Sequence, residues 1–168
     1  GREIDAALAT AGIPRRQVDG LRVTDARTLE VVVAVLAGAI NTRLVSAVRK
    51  AGGRPVGLTG ADAAVAVVKR AAPVVTVSGD TVDLGLVGAP VAGSEPALLR
   101  HLLKSGYIPV VACIGATRSG ELLNVNADTF ASAIATRMKA TRLLLLTDVE
   151  GVLDREQRLI EELTVAQA

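Results

Sequence analysis

Residues 122–128 read LLNVNAD and place three short polar side chains, Asn124, Asn126 and Asp128, just before an apolar segment that is typical of a helix. Asn and Asp are the preferred N-cap residues of helices, so capping accounts for one of the three, with Asp128 the expected cap. The other two are then available for a ligand. Amides and a carboxylate here could orient a polar small molecule.

Arg22 lies in the segment DGLRVTD, beside a short predicted strand. An arginine is most often a solvated surface residue. Held near a strand end, its planar fork can instead bind a carboxylate through two parallel hydrogen bonds. Further along the chain, Asp148 and Asp154 in TDVEGVLD could either cap turns or line a nucleotide pocket, and the pattern alone does not decide between these.

Three loops that follow predicted strands combine small and polar residues: GLTGAD (57–62), NVNAD (124–128) and TDVEGVLD (147–154). Such loops expose backbone N–H groups that can hold a phosphate or a carboxylate. None continues as Gly-Lys-Ser/Thr and none matches G-x-G-x-x-G. A P-loop enzyme and a dinucleotide-binding dehydrogenase are therefore disfavoured.

Composition removes several other classes of protein. The chain has a single histidine, His101, and a single cysteine, Cys113. A zinc site or a Ser-His-Asp triad is therefore not expected. The 19 basic and 17 acidic residues are scattered, so binding of nucleic acid through a basic face is not expected. Cys113 lies in an apolar run, as a buried small hydrophobe would, and a reducing, cytoplasmic location fits. No uninterrupted apolar run approaches the length of a membrane helix, so no membrane association is expected.

The elements that must position these residues alternate between helices and aliphatic strands. Helices are predicted over 2–11, 28–50, 96–106 and 129–140, and strands over 54–60, 107–115 and 142–148, with hairpin strands between 65 and 90. This order predicts an α/β fold with three αβα layers, a mainly parallel central sheet and an inserted β-hairpin region. In such sheets ligands bind beyond the carboxyl ends of the strands, which is where the polar loops lie.

Taken in order, DGLRVTD, GLTGAD, DLGLVG, GYIPVVACIG, LLNVNAD and LLLLTDVEGVLD resemble the acetylglutamate kinases of the amino acid kinase family. The resemblance runs along nearly the whole chain. It implies the αβα sandwich of that family and transfer of the γ-phosphoryl group of ATP, with Mg²⁺, to the side-chain carboxylate of N-acetyl-L-glutamate. The product would be the acyl phosphate used in arginine biosynthesis.

The resemblance also implies roles for individual residues. Arg22 would bind the α-carboxylate of the substrate, Asn124 and Asn126 would belong to the substrate site, and Asp128 would organise the lysines that neutralise the transferring phosphoryl group. Gly1 is similar to the last glycine of the family's His-Gly-Gly-Gly loop. The nucleotide would be bordered by Asp148, Val149, Glu150, Gly151, Val152 and Leu153. No residue is implied as a direct protein ligand of a metal.

The resemblance divides the chain into residues 1–141, an acceptor-binding part, and 142–168, the start of a nucleotide-binding part. The family's lysine-bearing segments would lie outside these 168 residues, so the polypeptide alone is expected to have negligible kinase activity. A homodimer or higher homo-oligomer is the family's default. Two alternatives stay open: a kinase for aminoadipate or glutamate held on a carrier protein, and a non-catalytic ligand-binding module of the same fold.

Overall fold

The computed structural model describes residues 1–92, 96–147, 149, 151–154 and 156–164. The helices are α1 (Arg2–Thr10), α2 (Ala26–Val33), α3 (Asn41–Lys50), α4 (Ala97–Lys104) and α5 (Ala127–Met138), with a π-helical turn over Ala34–Ile40 and a 3₁₀ turn over Asp62–Ala64. The strands are β1 (Gln17–Val18), β2 (Leu21–Arg22), β3 (Pro55–Thr59), β4 (Val68–Arg70), β5 (Val74–Val75), β6 (Thr81–Val82), β7 (Val87–Pro90), β8 (Ile108–Ala112), β9 (Ile114–Ala116) and β10 (Leu122–Val125).

The predicted long helix forms, and it begins two residues earlier than the sequence pattern indicates. Asp25 is its N-cap, because the Asp25 carboxylate accepts a hydrogen bond from the backbone N–H of Thr28 at 2.8 Å. α2, the π-helical turn and α3 form one continuous helix, Ala26–Lys50. By length and composition alone this helix is apolar enough to cross a membrane, a test that core helices of soluble proteins also pass.

Parallel strand pairs lie at the centre of the fold. β3 pairs with β8, and β7 pairs with β10, both in parallel. β10 also pairs with β9, and β7 with β4, both antiparallel, which gives a four-stranded mixed sheet in the order β4-β7-β10-β9. The inserted hairpin region forms as β5 and β6, which pair antiparallel.

Helices cover both faces of the β3–β8 pair. Gly57 of β3 lies so close to α3 that a Cβ atom there would meet the Asn41 side chain at 2.2 Å. On the other face, Pro109 and Val111 of β8 share an apolar cavity with Leu99 of α4 and with α5. Because successive strand residues face opposite sides of a sheet, the long helix forms one outer layer and α4 with α5 the other. The α/β fold expected from the sequence is therefore confirmed.

Two predicted strands differ from the structure. The strand expected over 107–115 is interrupted at Cys113, so that β8 and β9 are separate elements. The prediction of a strand over 142–148 is wrong for residues 142–147, which have no regular structure, and residue 148 lies outside the described residues. A strand needs a neighbour to take its backbone hydrogen bonds, and the described residues place none beside it. Its leucines are consequently exposed, Leu146 to 98%.

Candidate functional site

Four residues that the sequence singles out line one cavity of about 240 Å³: Gly1, Arg22, Asn124 and Asn126. Asn124 lies in β10, and Asn126 connects that strand to α5. Cys113, directly after β8, lines the same cavity. The cavity therefore lies at the carboxyl ends of β8 and β10, and loops that follow strands are the usual position of ligand sites in α/β sheets.

The Arg22 side chain is held firmly and is almost completely buried, with 7% exposed. Its Nη2 donates to Oδ1 of Asp5 in α1 at 2.6 Å. Its Nη1 is buried and has no hydrogen-bond partner among the residues that the structure describes. A buried guanidinium nitrogen without an acceptor is costly unless something else supplies one. Because Arg22 is a cavity residue, a carboxylate bound in the cavity could be that acceptor.

Asp5 is the counter-charge that positions Arg22. The hydrogen bond from Arg22 lowers the pKa of the Asp5 carboxyl below its usual value of 3.8; partial burial opposes this shift, and the charges of Arg22 and Arg15 add to it. Arg15 lies 3.3 Å from the other carboxylate oxygen. Asp5 is therefore ionised at neutral pH, and it directs one arm of the Arg22 fork while the second arm stays open.

A fully buried threonine connects Arg22 to Asn124. The amide nitrogen Nδ2 of Asn124 donates to Oγ1 of Thr24 at 3.3 Å, and Thr24 Oγ1 donates to the backbone carbonyl of Arg22 at 3.3 Å. The backbone N–H of Thr24 donates to the carbonyl of Leu84 at 2.9 Å, and that of Leu86 to the carbonyl of Thr24 at 2.7 Å. The two predicted site residues are thus parts of one hydrogen-bonded unit.

Gly85 allows this unit to form. Its φ is +74°, which L side chains rarely adopt, and a Cβ atom there would lie 2.5 Å from the carbonyl oxygen of Thr24. The close approach brings segment 84–86 alongside Thr24. Since Leu86 also accepts from the backbone N–H of Asn124 at 3.0 Å, a glycine here holds the strand of Arg22 and the strand of Asn124 in register.

The cap of α5 is Asn126, which corrects the expectation that Asp128 caps this helix. Asn126 Oδ1 accepts from the backbone N–H of Thr129 at 3.0 Å and from its hydroxyl at 3.1 Å. The helix begins at Ala127, two residues before its predicted start, so Asp128 lies inside the first turn. Asp128 is exposed, and within the described residues its side chain makes no hydrogen bond and is not part of the cavity wall.

The predicted nucleotide segment is not assembled into a site by the described residues. Asp148 and Glu150 lie outside the described residues. Val149, Gly151, Val152 and Leu153 are exposed, and Leu153 forms an isolated antiparallel bridge with Leu159. Asp154 accepts hydrogen bonds from the backbone N–H groups of Glu156 and Arg158, both at 2.9 Å, so its turn-capping alternative is the one observed.

In the GLTGAD loop, polar groups form hydrogen bonds within the loop. The Asp62 carboxylate accepts from the backbone N–H of Thr59 at 2.7 Å and from its hydroxyl at 2.8 Å. A Cβ atom at Gly60 would lie 2.7 Å from the carbonyl oxygen of Ile114. Within the described structure, this glycine is thus explained by close packing against β9 rather than by binding an anion.

Sequence reasoning missed three residues around the cavity. Asp5 carries no local signal, because its partner Arg22 is 17 residues away and meets it only through tertiary packing. Thr24 likewise carries no local signal, because its partner Asn124 is 100 residues away. Cys113, expected as a buried small hydrophobe, is half-buried in the cavity wall, and burial raises the pKa of its thiol.

The chain matches known proteins along its whole length. The model of the amino acid kinase family matches residues 1–168. Acetylglutamate kinase from Rhodospirillum rubrum is 47% identical over 100% of this chain and 55% of its own length, and acetylglutamate kinase from Dinoroseobacter shibae is 48% identical over 98% of this chain and 54% of its own. The chain thus spans about half the length of the curated relatives it matches.

Solved structures share the fold. The crystal structure of smu.665 from Streptococcus mutans UA159 has a TM-score of 0.78 and 25% identity, covering 92% of this chain and 60% of that one. N-acetylglutamate synthase from Neisseria gonorrhoeae, complexed with coenzyme A and N-acetyl-glutamate, has a TM-score of 0.69 at 23% identity, covering 94% of this chain and 34% of that one. With a family model that covers every residue, including those around the cavity, this chain belongs to the amino acid kinase family.

Proposed function

We propose that the protein carrying this chain is an acetylglutamate kinase, which phosphorylates the side-chain carboxylate of N-acetyl-L-glutamate with ATP in arginine biosynthesis. The names of the relatives support this reaction, and they do not favour the carrier-protein or non-catalytic alternatives. The observation that carries the proposal for this chain is the buried Arg22, which lines a cavity together with Asn124 and whose Nη1 lacks an acceptor among the described residues.

The acceptor chemistry agrees with this set of residues. A carboxylate nucleophile is already ionised at neutral pH, so the reaction needs no general base. Phosphoryl transfer depends mainly on in-line positioning and on neutralising charge. Arg22 would hold the α-carboxylate, Asn124 would contact the acetylamino group, and Asn126 and the backbone of Gly1 would complete the wall of the site. The side-chain carboxylate would then be left free to attack ATP.

The remaining assignments are proposals of the same kind. Asp128 would organise the charged groups around the phosphoryl group, and residues 148–153 would border the nucleotide, whose phosphates would carry Mg²⁺. Residues 1–141 would form the acceptor part and 142–168 the beginning of the nucleotide part. We further propose a cytoplasmic homodimer or higher homo-oligomer that binds neither nucleic acid nor membrane.

Calorimetric titration of the full-length protein with N-acetyl-L-glutamate tests the proposal. We expect Arg22→Ala to weaken binding by about tenfold to a hundredfold, since a charged hydrogen bond contributes about 1.5–3 kcal/mol. Arg43→Ala is the matched control, because Arg43 forms an exposed ion pair with Glu3 and does not line the cavity. Equal affinities for wild type and Arg22→Ala would remove Arg22 from the site, and no binding by the wild type would refute the proposed substrate.

A further inference from the structure

We propose that Thr24 is a positioning residue that fixes which end of the Asn124 side-chain amide faces the cavity, and so selects ligands with an N–H group at that point. The inference rests on the proposed function for the identity of the ligand. It concerns a residue that does not line the cavity and whose hydroxyl contacts the cavity residue Asn124.

The hydrogen-bond pattern decides the orientation of the amide. A hydroxyl group has one proton to donate and lone pairs to accept with. The backbone carbonyl of Arg22 can only accept, so Thr24 Oγ1 gives its proton to that oxygen, 3.3 Å away. Toward Asn124, Thr24 Oγ1 is then left as an acceptor. The atom of Asn124 that faces it at 3.3 Å must therefore be the donor, Nδ2.

The other end of the amide, Oδ1, remains for the cavity. Asn124 lines the cavity, and within the described residues its Oδ1 accepts no hydrogen bond. The site consequently combines a donor residue, Arg22, whose Nη1 lacks an acceptor among the described residues, with one acceptor, Oδ1 of Asn124. N-acetyl-L-glutamate matches this pair, since its carboxylates accept hydrogen bonds and its acetylamino N–H is its only donor at neutral pH.

Thr24 cannot easily rotate its hydroxyl away from this arrangement. It is fully buried, and its backbone is bonded on both sides to segment 84–86, with Gly85 packed against its carbonyl oxygen. A buried hydroxyl with no alternative partner keeps its partners, because leaving them unsatisfied is costly. The orientation of Asn124 is therefore set before the ligand arrives, and the ligand does not have to order it.

The test compares N-acetyl-L-glutamate with (S)-2-acetoxyglutarate, its ester analogue, in which an oxygen atom replaces the N–H group. Both ligands keep both carboxylates, so their contact with Arg22 is the same. In calorimetric titrations of the full-length protein we expect the wild type to prefer the amide by about tenfold or more, because the ester oxygen would face Asn124 Oδ1 with no proton between them.

Thr24→Val removes the hydroxyl and frees the Asn124 amide to turn its NH₂ toward the ester. We expect the preference for the amide to fall to within about threefold of unity in this variant, and Thr24→Ser, which keeps the hydroxyl, to restore it. If Thr24 had a merely structural role, the substitution would weaken the binding of both ligands equally and leave the ratio of their affinities unchanged. Thermal unfolding of each variant establishes that the protein tested is folded.

Each outcome is decisive. An unchanged ratio in folded Thr24→Val would overturn the proposal, as would equal affinities for the two ligands in the wild type, a measurement that needs no variant at all. Failure of both ligands to bind the wild type would instead defeat the proposed function. The two failures are therefore distinguishable in the same set of titrations.

Discussion

Removal of the Asp5 carboxylate by Asp5→Ala should destabilise the protein far more than removal of Glu3 by Glu3→Ala. Both acids lie in the first turn of α1, so their favourable interactions with the helix dipole are comparable. They differ in their partners. Asp5, 23% exposed, bonds the buried Arg22, whereas Glu3 and Arg43 form a pair that is more than half exposed on both sides.

The expected magnitude follows from this burial. Loss of Asp5 leaves the Arg22 guanidinium without its carboxylate at a site where Nη1 already has no partner within the described part of the chain. Breaking a hydrogen bond to a buried charge costs about 1.5–3 kcal/mol, and a lost surface pair about 0–1 kcal/mol. For a chain of this size, 1 kcal/mol shifts Tm by roughly 2–4 °C. We therefore expect Tm to fall by about 3–12 °C in Asp5→Ala and by no more than about 4 °C in Glu3→Ala.

The effect should also depend on pH. Arg22 holds the pKa of Asp5 below 3.8 in the folded protein. A carboxyl whose pKa is lower in the folded state stabilises the protein above pH 3.8, and this contribution is lost as the pH falls through its folded-state pKa. The Tm gap between wild type and Asp5→Ala should thus be complete at pH 7 and narrow below pH 3.8. Calorimetric scans that give equal losses for Asp5→Ala and Glu3→Ala at pH 7 would refute the reasoning.

Two further substitutions test local features. Ala63 has φ +46° and ψ 34°, so Ala63→Gly should stabilise the protein by about 0.5–1 kcal/mol in urea unfolding, whereas Ala61→Gly, at φ −73°, should destabilise it by a similar amount. A destabilised Ala63→Gly would show that this strain is not released by glycine. Asn126→Ala should cost about 1 kcal/mol through loss of the α5 cap, and Asn126→Asp should keep most of that stability, as measured by Tm. Equal losses in the two Asn126 variants would point to a role for the amide other than capping.

Gly1, Arg22, Asn124 and Asn126 line one cavity, and only part of this arrangement follows from a geometric rule. Asn126 follows β10, as the rule for loops after strands expects, whereas Arg22 ends a strand of the antiparallel β1–β2 pair and reaches the cavity through tertiary packing. The cap was assigned to Asp128 because the helix start was misplaced by two residues, and a cap is defined by that start.

What the sequence could not show depends on contacts between distant segments. The leucine run at 143–146 has the composition of a buried strand, but strand formation requires a neighbouring strand, which local pattern does not reveal. Asp5 and Thr24 were missed for a related reason. Their partners, Arg22 and Asn124, are 17 and 100 residues away, so only the folded chain shows what they position.

The π-helical turn at Ala34–Ile40 has a consequence for how the long helix tolerates insertions and deletions. Val32 and Asn41 are nine residues apart, which is roughly two and a half turns of a regular α-helix and would put them on opposite sides. Both are nevertheless buried, and Asn41 donates to the carbonyl oxygen of Val110 in β8 at 2.8 Å. The wider turn rotates the chain less per residue, so it corrects the angular phase between α2 and α3. A deletion of one residue within this segment could therefore be absorbed, because a regular α-helix one residue shorter keeps Asn41 on about the same side, whereas a deletion elsewhere in the helix would turn Asn41 away from the strands.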